Sequence, residues 1–337
     1  VNLAFAKEVN LGMLLHSASQ NSLVLKGKKD DIGIESARFE STKSDYYPVL
    51  SLSYNNEYNR DLDGRFGGVE SVGDTVITNG TRYQSSLSLN FNYELYHFGA
   101  TDTKVALYEK EVRVRRYNWC EEEQNLHTNI LDQYATALKA QTSITSQSKI
   151  VDIRRKIYTQ KERLYQAGKS SKFELGNEAI AIIDLERSIE QARSQYDDAL
   201  LMLTELSHIE LTQTDDLLPI KTTVSIESTL TPFNETAEGV RLQAQIQQKH
   251  DEVLMHDRNR LPSIVMYSNY YLYGSDPDDY QPAIEALRRS SWKVGVGLRW
   301  TIFEGFRFDS DMTRLKLEQE KLKDEYEERQ RMYTYAQ

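Results

Sequence analysis

A heptad pattern of apolar and small side chains runs from about residue 102 to residue 165 and constrains the fold more than any other feature. Neither proline nor glycine interrupts it. The repeating positions form two series: Val105, Val112, Trp119 and Leu126, then Ile130, Ala137, Ile144, Val151, Tyr158 and Tyr165. At about 1.5 Å per residue, a helix of roughly 65 residues is on the order of 100 Å long. We expect it to pack along its length against other long helices.

The end of this heptad pattern predicts a helical hairpin. Gly168 can supply a left-handed cap for the long helix, and the short link 169–171 leads into a second heptad pattern. Its apolar positions are Leu175, Ile182, Ile189, Tyr196 and Leu203. Matching heptads on two helices joined by a short link predict antiparallel packing, with the link at the tip. Upstream, residues 10–45 are also predicted to be helical.

Alternating apolar and polar residues predict four strands, at about 48–59, 83–96, 263–273 and 291–303. Some ten alternating residues ending in aromatics match the length of a tilted membrane-spanning strand, although a buried strand of a soluble sandwich has a similar pattern. The glycine-rich residues 60–81 are predicted to be a long mobile loop. Residues predicted to face lipid are Leu87, Leu89, Phe91, Trp292, Val294, Val296, Leu298 and Trp300.

Four charged residues alternate with those apolar positions and are candidates for the lining of an aqueous lumen: Glu57, Glu94, Lys293 and Arg299. An ordinary solvated polar face explains them equally well. Their mixed signs predict no strong charge selectivity.

The order helix, proline, strand, loop, strand, turn and long helix occurs twice, which predicts an internal duplication. We place the first repeat at 1–208, a linker at 209–230 and the second repeat at 231–337. The turn at 302–306 echoes the turn at 95–99, and this recurrence favours membrane strands over accidental alternation. The second long helix has only about thirty residues before Gln337, so we expect the chain to lack a C-terminal hairpin.

The composition argues against several functions. A net charge of -10 and a pI near 5.3 argue against a nucleic-acid surface. The single cysteine, Cys120, excludes an intrachain disulfide and is interpreted as a packed small side chain. We find no apolar run long enough for a transmembrane helix, no signal peptide, and no metal-binding or catalytic motif. We therefore expect no enzymatic activity, no metal and no cofactor.

Taken together, these motifs resemble the TolC family of outer-membrane efflux proteins. The resemblance covers the helix leading into Tyr47-Pro48-Val49-Leu50, the repeated glycine-containing turn, and Leu164-Tyr165-Gln166-Ala167-Gly168 followed by Gln191-Ala192-Arg193. It implies a mixed α and β membrane protein located in the outer membrane and extending into the periplasm. In a homotrimer, each chain would give four strands to a shared twelve-stranded transmembrane β-barrel and its long antiparallel helices to an α-helical barrel.

The resemblance also implies partners. Such a protein is the passive exit duct of a tripartite efflux or type I secretion system, with a periplasmic adaptor and an inner-membrane pump. The hairpin tip would contact the adaptor, and the matching residues are Ala167, Gly168, Lys169, Ser170 and Ser171. Lys169 departs from the apolar residue usual after the glycine. The gate would lie beyond Gln337.

A soluble periplasmic coiled-coil protein, structural or adaptor-like and with a small β domain, is the alternative. It shares the heptads. It leaves the outward apolar side chains of the strands without a purpose unless that β domain has its own core.

Overall fold

The computed structural model describes residues 8–58, 69–72, 75–78, 83–213, 215–220 and 231–336. In chain order the elements are β1 (Glu8–Val9), α1 (Leu11–Asn21), α2 (Leu23–Lys43), β2 (Val49–Tyr58), β3 (Val69–Val72), β4 (Thr75–Thr78), β5 (Tyr83–Tyr96), α3 (Ala100–Gln166), α4 (Lys172–Ser207), β6 (Asp216–Leu217), α5 (Ala237–Asn259), β7 (Ser263–Asp276), α6 (Tyr280–Glu285), β8 (Arg289–Arg299) and α7 (Arg307–Ala336). They divide into two compact units.

The first unit contains residues 8–33 and 115–241 and is mainly helical. Its core joins α1, α3 and α4 around Tyr134, which is fully buried. The Tyr134 hydroxyl lies 3.0 Å from the carbonyl oxygen of Val9 and 2.7 Å from that of Leu218, so the buried phenol is hydrogen-bonded. Ile130 and Ala137, two of the predicted heptad positions, lie in this core with Tyr196 and Leu203 of α4. The predicted packing of the two long helices is therefore present.

The helices differ from the predictions in detail. The predicted helix 10–45 is broken at Ser22, whose ψ of 117° is extended, into α1 and α2. Asn10 caps the first of these by accepting a hydrogen bond from the Met13 amide at 2.8 Å. The long helix has 67 residues, close to the predicted length. Cys120 is exposed in the single chain, so the structure does not show the packing predicted for it.

Two segments predicted as irregular contain short strands. β6 lies in the predicted linker and pairs in parallel with β1. β3 and β4 form an antiparallel pair within the predicted loop, which is the part of that loop that the structure describes. The rest of the loop, apart from these two strands, and residues 214 and 221–230 of the linker lie outside the described residues.

The second unit contains residues 34–114 and 242–336 and is built on a four-stranded antiparallel sheet. Its strand order is β2-β5-β7-β8, so β5 and β7 are central and β2 and β8 are the edges. All four predicted strands are present, although β7 extends to Asp276 and β8 ends at Arg299 rather than near 303. A register irregularity between Glu94 and Tyr96 ends the regular pairing of β5 with β7.

Each long helix that follows the sheet begins after a left-handed turn. In the first turn (Leu95–Gly99), φ is +47° at Phe98 and +76° at Gly99; in the second turn (Ile302–Phe306), it is +63° at Gly305 and +66° at Phe306. Glycine accepts this conformation freely, whereas phenylalanine does so at a cost. The repeated motif therefore has the same backbone conformation twice, with phenylalanine and glycine exchanged.

Candidate functional site

One face of the sheet is apolar from edge to edge. Leu52 lies opposite Leu89, which lies opposite Tyr270, and Tyr270 lies opposite Trp292. Seven of the eight predicted lipid-facing residues lie within β5 and β8, and the strand pairing places them on this face. The eighth, Trp300, follows β8 directly. The side chains are exposed in the single chain: Trp292 is 70% exposed and Leu298 is 68% exposed. A soluble protein rarely leaves a surface of this extent uncovered.

The opposite face, which we term the polar face, carries all four predicted lumen residues. The structure does not gather them at one point. Glu94 and Arg299 line one cavity of 620 Å³ near the first turn. Glu57 lies opposite Gln84 near the other end of the sheet, and Lys293 lies opposite Asn269. The Glu94 carboxylate accepts a hydrogen bond from Thr101 Oγ1 at 3.2 Å and lies 3.3 Å from His97 Nδ1.

Tyrosines on the polar face were missed by the sequence analysis. Tyr267 and Tyr271 of β7 share this face with Asn90 and Ser88, because they alternate along β7 with the residues of the apolar face. A Cβ added to Gly295 would lie 2.6 Å from the Tyr267 ring, so the ring lies directly over that glycine. The signal that could have revealed this is the glycine pair of β8, since glycine in a strand often marks close approach of another group.

The hairpin tip is a well-defined turn rather than a loose link. Gly168 has φ +71°, its amide donates to the Tyr165 carbonyl at 2.9 Å, and the Lys169 amide donates to the Leu164 carbonyl at 2.8 Å. This is the Schellman arrangement, so the predicted left-handed cap is present. Nothing lies within 4 Å of a Cβ built on Gly168, and the side chain of Lys169 is exposed.

The second helix of the hairpin begins with a cap of its own. The Ser171 hydroxyl accepts a hydrogen bond from the Glu174 amide at 3.2 Å, and the Glu174 carboxylate accepts one from the Ser170 hydroxyl at 2.6 Å. The Ser170 hydroxyl, and then the Ser171 backbone, hold the pKa of Glu174 below its usual value. The five predicted tip residues therefore sit in a fixed backbone geometry at the surface.

A buried ion cluster fastens the hairpin behind the tip. The Glu178 carboxylate on α4 forms ion pairs with two side chains of α3, Lys161 Nζ at 2.9 Å and Arg154 Nη1 at 2.8 Å. Its side chain is only 9% exposed. The hydrogen bond from Lys161, followed by that from Arg154, lowers the pKa of Glu178. Sequence reasoning missed this residue because it looks like one of many helical carboxylates. The signal that could have revealed it is its position three residues after Leu175, where the heptad favours an apolar side chain.

The part of the chain that the structure describes holds no group of three or more histidine, cysteine or acidic side chains suited to a metal ion. No helix among the described residues is long and apolar enough to cross a membrane.

The long hairpin and the exposed two-faced sheet define the class of outer-membrane channels with a periplasmic helical tunnel. Comparison with known proteins identifies the family. The profile of the outer membrane efflux protein family matches residues 14–207, which is more than half of the 337-residue chain. The chain belongs to this family, whose members are channels and not enzymes. No curated protein matches the chain significantly.

Solved structures share the fold at low sequence identity. CusC, from crystal structures concerned with its folding and transmembrane channel formation, is 15% identical with a TM-score of 0.78; the alignment covers 95% of this chain and 72% of CusC. The Campylobacter jejuni outer membrane channel CmeC is 14% identical with a TM-score of 0.75, over 94% of this chain and 67% of CmeC. The Vibrio cholerae outer membrane protein VceC is 12% identical with a TM-score of 0.77, over 96% of this chain and 75% of VceC.

The chain is therefore an outer-membrane efflux channel, and the predicted family, fold class and location are confirmed. The soluble coiled-coil alternative does not describe this family. Which residues face lipid, lumen or adaptor stays a prediction.

The two faces of the sheet should differ in their tolerance of arginine. Leu89→Arg and Val296→Arg change the apolar face, whereas Asn90→Arg is the matched control because it neighbours Leu89 on the polar face. Arginine facing the bilayer midplane costs about 2–4 kcal/mol. We expect both apolar-face variants to lower the amount of assembled protein in outer-membrane fractions, and Asn90→Arg to leave it near the wild-type level. Equal amounts of all three variants would contradict the assignment of faces.

The stability of the hairpin should depend on pH through Glu178. Because its folded pKa is lowered, its stabilising effect is complete above the ordinary carboxyl pKa of about 4.3 and is lost as the pH falls through the lower folded value. We expect amide-exchange protection of residues 154–182, corrected for intrinsic exchange, to fall in that acid range. Glu178→Gln should have low protection at neutral pH and little further loss in acid.

The control for this experiment is Glu186→Gln. Glu186 also pairs with an arginine of α3, at 2.6 Å from Arg155, but its side chain is 44% exposed. An exposed pair contributes little to stability, so this variant should follow the wild-type protein. An unchanged acid response in Glu178→Gln would show that another group is responsible.

Proposed function

We propose that this protein is the outer-membrane exit duct of a tripartite efflux or type I secretion system, through which substrates pass passively to the exterior. The observation that carries the proposal is the sheet, which is apolar and exposed on one face and largely polar on the other. Its edge strands, β2 and β8, have no partner on their outer sides among the described residues. In a bilayer such edges must be hydrogen-bonded, so further copies of the chain are needed.

A homotrimer meets this need. Transmembrane barrels of this type have an even number of strands and at least eight, which two copies of a four-stranded chain would already supply. The choice of three copies, giving twelve strands, rests on the resemblance to the TolC family. In the trimer the apolar face meets lipid. The polar face, with its two acidic and two basic candidates, lines the lumen and gives weak charge selectivity.

The partners follow from the same assignment. The chain has no nucleotide-binding motif that could supply energy, so transport would be driven by an inner-membrane pump. The hairpin tip, residues 167–171, would contact a periplasmic adaptor joined to that pump. The fixed geometry of the tip supports this role because a preorganised surface loses little entropy on binding. The chain would consist of two structural repeats, 1–208 and 231–337, joined by the linker 209–230.

The duct can be tested on the purified chain. In detergent we expect a particle of three 39.0 kDa chains by light scattering. In planar bilayers we expect a conductance with little preference between cations and anions, because the lumen candidates are of mixed sign. A monomer that stays in solution without detergent and gives no conductance would refute the proposal.

The adaptor contact can be tested with two substitutions of equal size. Aspartate and asparagine both tolerate the left-handed conformation of Gly168, and neither meets an atom within 4 Å of its Cβ. Only aspartate adds a charge beside Lys169. We expect Gly168→Asp to lower export several-fold in cells that contain the cognate pump and adaptor, and Gly168→Asn to stay near wild type, with equal trimer amounts on immunoblots. Unchanged export by Gly168→Asp would remove the tip from the functional site.

A further inference from the structure

The two left-handed turns have the same backbone conformation but different surroundings. The first turn is covered by the end of α5. Arg258 Nη1 donates to the Gly99 carbonyl at 3.0 Å and to Thr103 Oγ1 at 2.5 Å. A Cβ on Gly99 would lie 2.7 Å from the same nitrogen, so the arginine fills the space that a larger residue would need. Under this cover Ala100 is 3% exposed and Thr103 is 5% exposed.

The second turn has no such cover among the described residues. Ile302 is 76% exposed, Phe303 is 71% exposed and Phe306 is 72% exposed. Nothing lies within 4 Å of a Cβ built on Gly305. A groove of 280 Å³ runs beside the turn and is lined by all three apolar side chains. Three large apolar groups at one exposed turn indicate a contact surface.

The duplication indicates what belongs there. Pro48 and Pro262 hold the same place in the two repeats, ahead of β2 and β7, so Arg258 at the end of α5 corresponds to Ser44 after α2. The two turns correspond with Gly99 at the place of Phe306. The covered turn therefore pairs a small turn residue with a large covering residue. The uncovered turn has the large residue itself, and the corresponding covering position holds a small one.

Strand pairing supplies the route by which the two parts would meet. Within the chain, the end of β5 pairs with the start of β7, with Tyr96 opposite Ile264, and this pairing brings Arg258 to the first turn. β8 leads into the second turn, and β2 follows Ser44. Because β8 and β2 are the two free edges, antiparallel pairing of β8 with β2 of a second copy would repeat the geometry in trans.

We propose that the second turn is a docking surface for the α2–β2 junction (Ser41–Val49) of a second copy, with Phe306 packed over the partner's Ser44 position. This inference rests on the trimer proposed above and identifies a contact that closes it. The junction suits the role because Tyr47 is 70% exposed and Val49 is 65% exposed. Ser44 is exposed as well.

The junction is also held in place by its own chain. The Tyr46 hydroxyl donates to Asp102 Oδ1 at 2.6 Å, and Lys104 Nζ lies 2.7 Å from Asp45 Oδ2. A second copy would therefore meet a preformed surface rather than a loose segment, and docking would not require the junction to be ordered first. The apolar groups on both sides would be removed from water together.

Exchange of the two residue sizes tests the contact. Ser44→Arg places a large residue against Phe306, and Phe306→Gly removes the ring while relieving the left-handed strain at that position. We expect each single variant to weaken each of the three contacts in the trimer by about tenfold, which is roughly 1.4 kcal/mol per contact, and so to lower the fraction of trimer at equal protein concentration. The double variant Ser44→Arg/Phe306→Gly restores the arginine and glycine pair of the first turn and should recover most of the trimer.

Disulfide trapping tests proximity directly. In a Cys120→Ser background, Ser44→Cys with Phe306→Cys should form covalent dimers and trimers after Cu(II)-phenanthroline oxidation, on denaturing gels without reductant. A variant with only one of the two cysteines should give no covalent trimer on these gels. The control pairs Ser44→Cys with Leu317→Cys, because Leu317 is 59% exposed on α7 and lies outside the proposed contact.

The outcomes separate this inference from the proposed function. A trimer by light scattering that forms no 44–306 disulfide, or forms as much of the control disulfide, overturns the docking surface and leaves the duct intact. Failure of the double variant to recover the trimer overturns it too. A protein that forms no trimer at all overturns both.

Discussion

Backbone hydrogen bonding at the sheet edges is the constraint on which the rest of the second unit depends. β5 and β7 satisfy each other and their neighbours, but β2 and β8 each present a row of amides and carbonyls outward. The neighbouring apolar side chains make water an unfavourable solvent for that surface, and lipid cannot bond to the amides. A four-stranded sheet with one apolar exposed face is therefore a fragment of a larger closed sheet.

Much of this fold could be predicted from the sequence because periodicity records burial directly. The heptads of α3 gave Ile130 and Ala137, which lie in the core, and the alternation of β5 gave a strand whose faces are separated as expected. The alternation of apolar and polar residues is less clear in β7. Tyrosine is apolar along its ring and polar at its hydroxyl, so Tyr267 and Tyr271 look apolar in sequence yet share the polar face with asparagine and serine.

The features that the sequence did not reveal depend on contacts between distant residues. Glu178 looks like one of many helical carboxylates, and only the register of the hairpin brings Lys161 and Arg154 to it. A buried carboxylate with two cations contributes little net stability compared with a leucine, but removing Glu178 would leave Lys161 and Arg154 without their counter-charge. We interpret the cluster as a register lock for the hairpin, which keeps the tip at a fixed place. The same limit applies to β3 and β4, whose pairing lies within a segment of turn-forming composition.

The duplicated turns show how one motif can serve both within a chain and between chains. A turn that is covered by its own chain can place the bulk on the covering helix, because Arg258 and Gly99 are always present together. In a turn that is covered only by a second copy, the large residue is better placed on the turn itself. There Phe306 stays exposed in the single chain, and burying its apolar ring favours association. Its left-handed φ of +66° costs free energy in every isolated chain. Burial of the ring against a second copy would offset that cost, so the strain in the single chain and the gain on assembly belong to the same residue.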